Sequence, residues 1–215
     1  MRSTLITGLA AAATLVALPA AAEVLLDYRD AAFLSGSPFY SEAEQRRIAA
    51  ALAQGPEAER FADGFALRGD ATGAFTQAGA QERVFLIQEE AASAIEPFPE
   101  TGAPVLLILR GDEPVGLRRL ADDVQYQRLV AAADTDGDGR DEVFLETSFM
   151  NMGQTTMSLD VASIGDGETA TILQTLDEVY YDGCENPAGE RERSAATISV
   201  ADGASAERFE EACPQ

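Results

Sequence analysis

The residues with the clearest chemistry lie in one acidic loop, 134–142. Asp134, Asp136 and Asp138 alternate along the chain, and Glu142 closes the loop at its ninth position. In a tight turn, alternating side chains can direct their carboxylates to a common centre, where the negative charges repel one another unless a cation joins them. A hard divalent cation with a flexible oxygen shell suits this arrangement best, so the spacing predicts a calcium site.

Two more residues of the loop fit the same site. Gly139, at the sixth position, permits a sharp reversal of the chain, and Arg140, at the seventh, can offer its backbone carbonyl. The alternative is a solvated acidic turn, since Asp and Gly are ordinary turn formers. Such a turn, however, has no need to place Asp at positions one, three and five. The predicted calcium ligands are therefore Asp134, Asp136, Asp138, the Arg140 carbonyl and Glu142.

The surroundings of the loop do not fit an EF-hand. An EF-hand needs an acid at position twelve, and this chain has Leu145 there. An EF-hand also lies between two helices, whereas residues 126–130 and 143–145 are typical of strands. Residues 131–150 resemble instead the FG-GAP, or VCBS-type, calcium hairpin of integrin-like β-propellers, whose pattern is DxDxDG followed by an acid at position nine. The resemblance implies blade-like sheets and the same five ligands, in a chain too short for a full propeller.

The elements that must position this loop are mostly strands. From about Phe65 onwards, short apolar or alternating runs are separated by Gly, Asp and Pro. This texture predicts a mainly β domain of antiparallel sheets, arranged as a sandwich or as blades. Residues 207–213 are expected to form one helical turn. The predicted strands are Arg83–Gln88, Pro104–Arg110, Gln125–Ala132, Glu142–Phe149, Thr155–Ala162, Thr169–Leu176 and Ala195–Val200.

One helix is predicted near the N-terminus. Ser41 and Glu44 form a capping box, Ile48 and Leu52 lie four residues apart, and a Gly-Pro pair ends the pattern. The expected fold class is therefore α+β overall, with this helix packed on the edge of the β domain. The predicted segments are a signal peptide at 1–22, an N-terminal helical segment at 23–60 and the β domain at 61–215.

The start of the chain has the three parts of a secretory signal peptide. Arg2 gives a positive start, Leu5–Leu18 is an apolar run that Pro19 breaks, and Ala20–Ala22 supplies small residues before the expected cut. A membrane anchor is the alternative, but the break and the small residues fit cleavage better. No later run approaches a membrane span. The Lys-free, Ala- and Arg-rich composition indicates a bacterial source, so we expect a periplasmic or secreted protein.

The two cysteines, Cys184 and Cys213, are expected to form a disulfide, because an exported chain meets an oxidising compartment. On the chain-entropy view, a bridge across this separation contributes roughly 3.5 kcal/mol. The alternative is a redox-active or nucleophilic cysteine. It has less support, since the sequence shows neither CxxC spacing nor a nearby base.

The composition excludes several classes of function. The chain has 15 Lys+Arg against 37 Asp+Glu, a formal net charge of -22, and it lacks His and Trp. A surface this acidic argues against nucleic acid and anionic membranes as partners. Without His or Lys, neither a Ser-His-Asp triad nor a Schiff-base lysine is available. A calcium ion is the expected partner, and a protein or a glycan would be the partner of an interaction module.

The function predicted from these patterns is an exported calcium-binding β domain with a structural or interaction role and no catalysis of its own. One alternative is a periplasmic metal-handling protein that holds Cu(I) through the thioethers of Met150, Met152 and Met157, although Met is more often an apolar filler. Another is a carboxylate-based hydrolase. Its candidate acids are Glu89–Glu90, Asp122–Asp123 and Asp177–Glu178.

A faint internal repeat surrounds the acidic loop. Residues 74–82 lead into Val84-Phe85-Leu86 as residues 134–142 lead into Val143-Phe144-Leu145, with Gly and Glu at matching offsets and a gap of one residue. The earlier copy lacks the aspartates. Either a turn-strand unit occurs twice and only the second copy carries metal ligands, or two Gly-containing hairpins match by chance.

Overall fold

The computed structural model of the protein describes residues 23–89, 102–121, 124–187 and 191–213. The predicted signal peptide, 1–22, lies outside these ranges and stays a prediction. Of the helices within the ranges, none combines the length and the hydrophobicity that spanning a bilayer requires.

Strands dominate the described residues, and two short helices precede most of them. The helices are α1 (Ala31–Ser35) and α2 (Glu42–Leu52). The strands are β1 (Glu23–Asp27), β2 (Ala66–Gly73), β3 (Glu82–Gln88), β4 (Val105–Arg110), β5 (Glu113–Arg119), β6 (Arg128–Ala133), β7 (Glu142–Asn151), β8 (Gln154–Ser163), β9 (Thr171–Asp182), β10 (Arg193–Ala201) and β11 (Gly203–Glu211).

The strands form two sheets, and every pair of named strands is antiparallel. The smaller sheet is a meander in the order β2-β3-β4-β5. The larger sheet contains a second meander, β6-β7-β8-β9, which β10, β1 and β11 extend. β9 and β1 pair with different halves of β10, while β11 pairs along its whole length. The predicted mainly β, antiparallel fold is confirmed. The helical share is small, so mainly β describes the fold better than α+β.

The first hairpin of each meander has the same register. Gly73 pairs with Glu82 in β2–β3, and Ala133 pairs with Glu142 in β6–β7, so each partner lies sixty residues after its counterpart. Both hairpins also carry a register shift further from the loop. When the two hairpins are aligned by this strand pairing, residues 74–82 match residues 134–142 and the strands after them match without the one-residue gap of the sequence alignment. The repeated turn-strand unit is therefore present in the structure.

The two meanders stack in the same orientation. Val84 lies in the core between the sheets, and its counterpart Phe144 lies in the next core, against β1, β9 and β10. Phe85 faces α2 in an outer core, and its counterpart Leu145 lies in the core between the sheets. Equivalent faces therefore point the same way along the stack. Helix α2 covers the open face of the first meander, and β1 with β10 covers that of the second.

Helix α2 forms where its sequence signals place it. The N–H of Glu44 donates to the Ser41 hydroxyl (3.2 Å), and Ile48 and Leu52 are buried against the first meander. The reciprocal half of the predicted capping box does not form, because the Glu44 carboxylate is bonded to Arg83 of β3. An ion pair with the sheet has thus replaced a local cap.

All seven predicted strands are present, but β1, β2, β5 and β11 were not predicted. The helical turn expected at 207–213 is wrong, since β11 runs to Glu211. The turn Ala201-Asp202-Gly203 closes a hairpin in which β11 pairs with the whole of β10. Pairing with a neighbouring strand satisfies the backbone of this polar segment, which the local sequence pattern does not show.

Gly69 sets how closely the meanders approach. Its φ is 124°, and a Cβ added there would lie 2.3 Å from the carbonyl oxygen of Leu129 in β6. The backbones of β2 and β6 therefore cross with no room for a side chain. Gly64 has a similar φ, 138°, but a Cβ added there would meet nothing within 4 Å.

We expect Gly69→Ala to destabilise the protein by about 3 kcal/mol, because the new methyl group must push two packed strands apart and adopt a strained backbone. Gly64→Ala carries the backbone strain without the clash and should cost about 1 kcal/mol. Chemical denaturation of both variants measures the difference. Equal losses would show that β2 and β6 do not need this close approach.

Candidate metal centre

The acidic loop connects the end of β6 to the start of β7. Within it, Asp134, Asp136 and Asp138 each offer a carboxylate oxygen, and these three oxygens lie within 4.8 Å of one another. Asp134 is half-buried, whereas Asp136 and Asp138 are exposed. The structure therefore brings together three of the five predicted ligands, at a spacing that one cation could bridge.

Backbone amides hold the aspartates in place. The two carboxylate oxygens of Asp134 accept the N–H groups of Gly137 (2.7 Å) and Gly139 (2.9 Å), and Asp136 accepts the N–H of Asp138 (3.0 Å). Gly137 and Gly139 have φ values of 78° and 84°, which side chains rarely adopt. The motif predicts the turn at Gly139 but not the one at Gly137, for which the Asp136-Gly137 pair is the available sequence signal.

Arg140 acts through its side chain as well as its backbone. Its Nε and Nη2 donate to one oxygen of Asp138 at 3.0 and 2.8 Å, and its N–H donates to the other oxygen (2.8 Å). The hydrogen bonds from Arg140 hold the pKa of the Asp138 carboxyl below its ordinary value. One guanidinium therefore already offsets part of the negative charge of the loop. The predicted role of the Arg140 carbonyl stays a prediction.

Glu142 is the first residue of β7, and its carboxylate does not belong to the group formed by the three aspartates. Only 2% of it is exposed, and its Oε2 accepts both the N–H (2.8 Å) and the hydroxyl (2.6 Å) of Thr135. This pair of bonds ties the first strand residue of β7 back to the start of the loop. Its role as a fifth ligand stays a prediction, and its hydrogen-bond partner Thr135 is not predicted by the sequence pattern.

No family model, curated protein or solved structure matches the chain. The resemblance of residues 131–150 to an FG-GAP hairpin therefore stays a prediction. What the loop can do follows from its own carboxylates, amides and neighbours.

The earlier loop, 74–82, is built in the same way. Glu82 is 4% exposed, and its Oε2 accepts the N–H groups of Phe75 (2.9 Å) and Thr76 (2.8 Å). Burial alone would raise the pKa of Glu82, but hydrogen bonds from Thr76, Arg110 and Phe75 outweigh burial and lower it. Gly79 has a φ of 73°, close to that of its counterpart Gly139.

Asp141 joins the two loops. Its N–H donates to the carbonyl of Ala74 (2.8 Å), and its Oδ2 accepts the N–H of Ala74 (2.7 Å). Asp141 sits between two predicted ligands but points to the neighbouring loop rather than to the other aspartates. The sequence pattern does not predict this role of Asp141, because its partner Ala74 lies 67 residues away in the chain.

The three methionines lie around the β7–β8 hairpin. Met150 and Met152 are 53% and 69% exposed, and Met157 packs against the core of the second meander. Met152 and Gly153, with φ values of 47° and 80°, form the two-residue turn. These positions suit a hairpin tip and a core filler.

The candidate catalytic acids are scattered. Glu89 is bonded to Arg60 (2.5 Å), and Glu178 lies 4.0 Å from Arg208. Glu90, Asp122 and Asp123 fall outside the described residues. Glu89 and Glu178 therefore take part in ion pairs with arginines, while Asp177 accepts a hydrogen bond from Arg208 through its backbone carbonyl.

The predicted disulfide is confirmed. Cys184 and Cys213 are bonded, with 5.4 Å between their Cα atoms. The bridge ties the segment after β11 to the turn that follows β9. It therefore holds the C-terminal hairpin on the larger sheet.

We expect Asp141→Ala to lower stability by about 1–2 kcal/mol, since the half-buried Ala74 N–H loses its acceptor, whereas Asp141→Asn retains an acceptor and should cost less. Chemical denaturation compares the two. Asp166→Ala, which removes one exposed carboxylate nearby, is the matched control and should change little. A loss as large in the control would contradict a specific role for Asp141.

Glu82 makes stability depend on pH in the acid range. Because its folded pKa lies below its unfolded value, its stabilisation is present above the unfolded pKa and is lost as the pH falls through the folded pKa. Glu82→Gln should lower stability at pH 7 and lose less stability than the wild type between about pH 5 and about pH 3. Denaturation midpoints across that range test this, and parallel curves would contradict it.

Proposed function

We propose that the protein is an exported calcium-binding β protein, in which one Ca²⁺ in the 134–142 loop has a structural role. The observation that carries this proposal is the convergence of three carboxylate oxygens within 4.8 Å, in the spacing of a calcium loop. Like charges at that separation repel one another. Backbone amides and Arg140 offset only part of the repulsion, and a hard cation with oxygen ligands would offset the rest.

Calcium suits the loop better than magnesium. Ca²⁺ accepts six to eight oxygens in a flexible geometry, which carboxylates, a backbone carbonyl and water can supply together. Mg²⁺ demands a near-ideal octahedron and keeps several of its waters. The loop ligands are Asp134, Asp136 and Asp138, with the Arg140 carbonyl and Glu142 as the further donors that the motif predicts. Extracellular calcium modules bind with Kd of about 10⁻⁴ to 10⁻³ M.

The position of the loop indicates what the cation would stabilise. The loop holds the register of β6 with β7 through Glu142 and touches the first meander through Asp141. A cation that orders the loop would therefore strengthen both the second meander and its junction with the first. This supports a structural role in preference to a catalytic one.

The arrangement of the meanders also supports the FG-GAP resemblance as part of this proposal. Each meander has four antiparallel strands, and in each the repeated loop joins the first strand to the second. Equivalent faces point the same way, as they do in stacked blades. On this view the protein is a pair of blades whose outer faces are covered by α2 and by β1 with β10, so that no closed ring is needed.

Export to the periplasm or the medium belongs to the same proposal. The sequence begins with a predicted signal peptide, and the Cys184–Cys213 disulfide suits an oxidising compartment. Calcium is also plentiful enough outside the cytoplasm to fill a site of modest affinity.

We expect 10 mM Ca²⁺ to raise the thermal midpoint of the metal-stripped protein by roughly 4–10 °C, the linkage expected at 10 to 100 times Kd for a domain of this size. Asp136→Ala should abolish most of this rise. Asp202→Ala, in the exposed β10–β11 turn, removes the same charge away from the loop and should leave the rise intact.

Two results would overturn the calcium assignment. One is a midpoint that responds to calcium equally in Asp136→Ala and in the wild type. The other is calorimetry that registers no heat when millimolar calcium is added to the metal-stripped protein.

A further inference from the structure

Two buried glutamates occupy equivalent places in the two loops. Glu82 and Glu142 each stand at the first residue of a strand, and each accepts the N–H of the residue seven positions before it, Phe75 or Thr135. In both cases this bond uses Oε2. Burying a carboxylate costs free energy unless a cation or further hydrogen-bond donors lie against it. The two loops can therefore be compared by the group that contacts the second oxygen, Oε1.

In the earlier loop, a guanidinium faces that oxygen. Nη2 of Arg110 donates to Oε1 of Glu82 (2.7 Å) and to the hydroxyl of Thr76 (3.2 Å). Arg110 follows Leu109, which pairs with Arg83, so Arg110 lies opposite Glu82 on the neighbouring strand. A cation supplied by the chain therefore closes the earlier loop.

In the acidic loop, the chain supplies no such cation from the corresponding strand. Val143 pairs with Ala162, so the residue opposite Glu142 is Ser163. Among the hydrogen bonds of the described residues, those of Glu142 involve only Oε2. Among the described residues, the corresponding oxygen, Oε1 of Glu142, therefore has no counterpart of the Arg110 guanidinium.

The charges of the loops differ in the same sense. In the earlier loop, the positions of the three aspartates hold Ala74, Thr76 and Ala78, so Glu82 is its one carboxylate and Arg110 balances it. The acidic loop holds five carboxylates, one of which, that of Asp141, bonds to Ala74, and it has a single guanidinium, that of Arg140, which is bonded to Asp138. One positive charge balances the first set, while the second set keeps a net negative charge that a divalent ion would offset.

We propose that the Arg110 guanidinium takes, in the 74–82 loop, the place that a bound divalent cation takes in the 134–142 loop, so that the chain binds one such ion rather than two. The comparison with a bound ion rests on the proposed function. The guanidinium on the equivalent glutamate is an observation independent of the aspartate cluster. The first meander is accordingly stable without metal, and the second depends on it.

A double-mutant cycle in EDTA tests Arg110 without any metal. Arg110→Gln should lower the thermal midpoint by roughly 5 °C, because it leaves a buried carboxylate without its cation. In the Glu82→Gln background, the same substitution should cost less than half as much. Arg46→Gln, on the exposed side of α2, is the control for loss of one charge and should shift the midpoint by less than about 1 °C. Additive effects would overturn the proposal.

A second experiment introduces a guanidinium into the acidic loop at the position equivalent to Arg110. Ser163→Arg places a guanidinium opposite Glu142, and it should raise the midpoint in EDTA and reduce the shift caused by 10 mM Ca²⁺ to less than half. Ser163→Gln, similar in length but uncharged, should keep the full shift. An undiminished shift in folded Ser163→Arg would contradict the equivalence of the two places.

Calorimetry of the wild type with Ca²⁺ gives the stoichiometry. One ion per chain supports the proposal, and two ions overturn it. If no calcium binds, the proposed function fails, whereas the cycle between Arg110 and Glu82 still decides whether the guanidinium closes the earlier loop. The two failures are therefore distinguishable.

Discussion

The structure depends on one repeated interaction, in which a buried glutamate at the start of a strand accepts backbone amides from the loop that precedes it. Glu82 and Glu142 each fix the entry into the second strand of a meander, and so each fixes the register of a hairpin. Since side chains alternate along a strand, this register decides which residues enter the cores on either side. A slip of one residue would turn Val84 and Phe144 to the wrong faces.

The same interaction creates an electrostatic demand. A carboxylate withdrawn from water needs hydrogen bonds and a nearby positive charge, and an acidic chain without Lys has few cations to offer. The earlier loop uses Arg110 for this purpose. In the acidic loop, three aspartate carboxylates lie close together, and the Arg140 guanidinium is bonded to one of them, that of Asp138. If the acidic loop binds an ion as proposed, the loops differ in the source of their positive charge.

Hydrogen bonds join the acidic loop, 134–142, to the earlier loop, 74–82. Asp141 belongs to the acidic loop by sequence, yet both its N–H and its side chain bond to Ala74 of the earlier loop. Together with the close crossing at Gly69, this contact joins the two sheets. Stabilisation of the acidic loop by an ion would reach the first meander through backbone hydrogen bonds rather than through side-chain packing alone.

Short-range pattern determined much of this protein. The alternation of apolar residues placed seven strands, the Ser41 cap placed α2, and the spacing of Asp134, Asp136 and Asp138 identified the loop whose carboxylates converge. The tertiary structure decided what lies between distant segments: that β11 is a strand, that Glu142 bonds Thr135, that Asp141 joins Ala74, and that the meanders stack. Local patterns carry the periodicity of a single element, whereas these features depend on partners that only folding brings together.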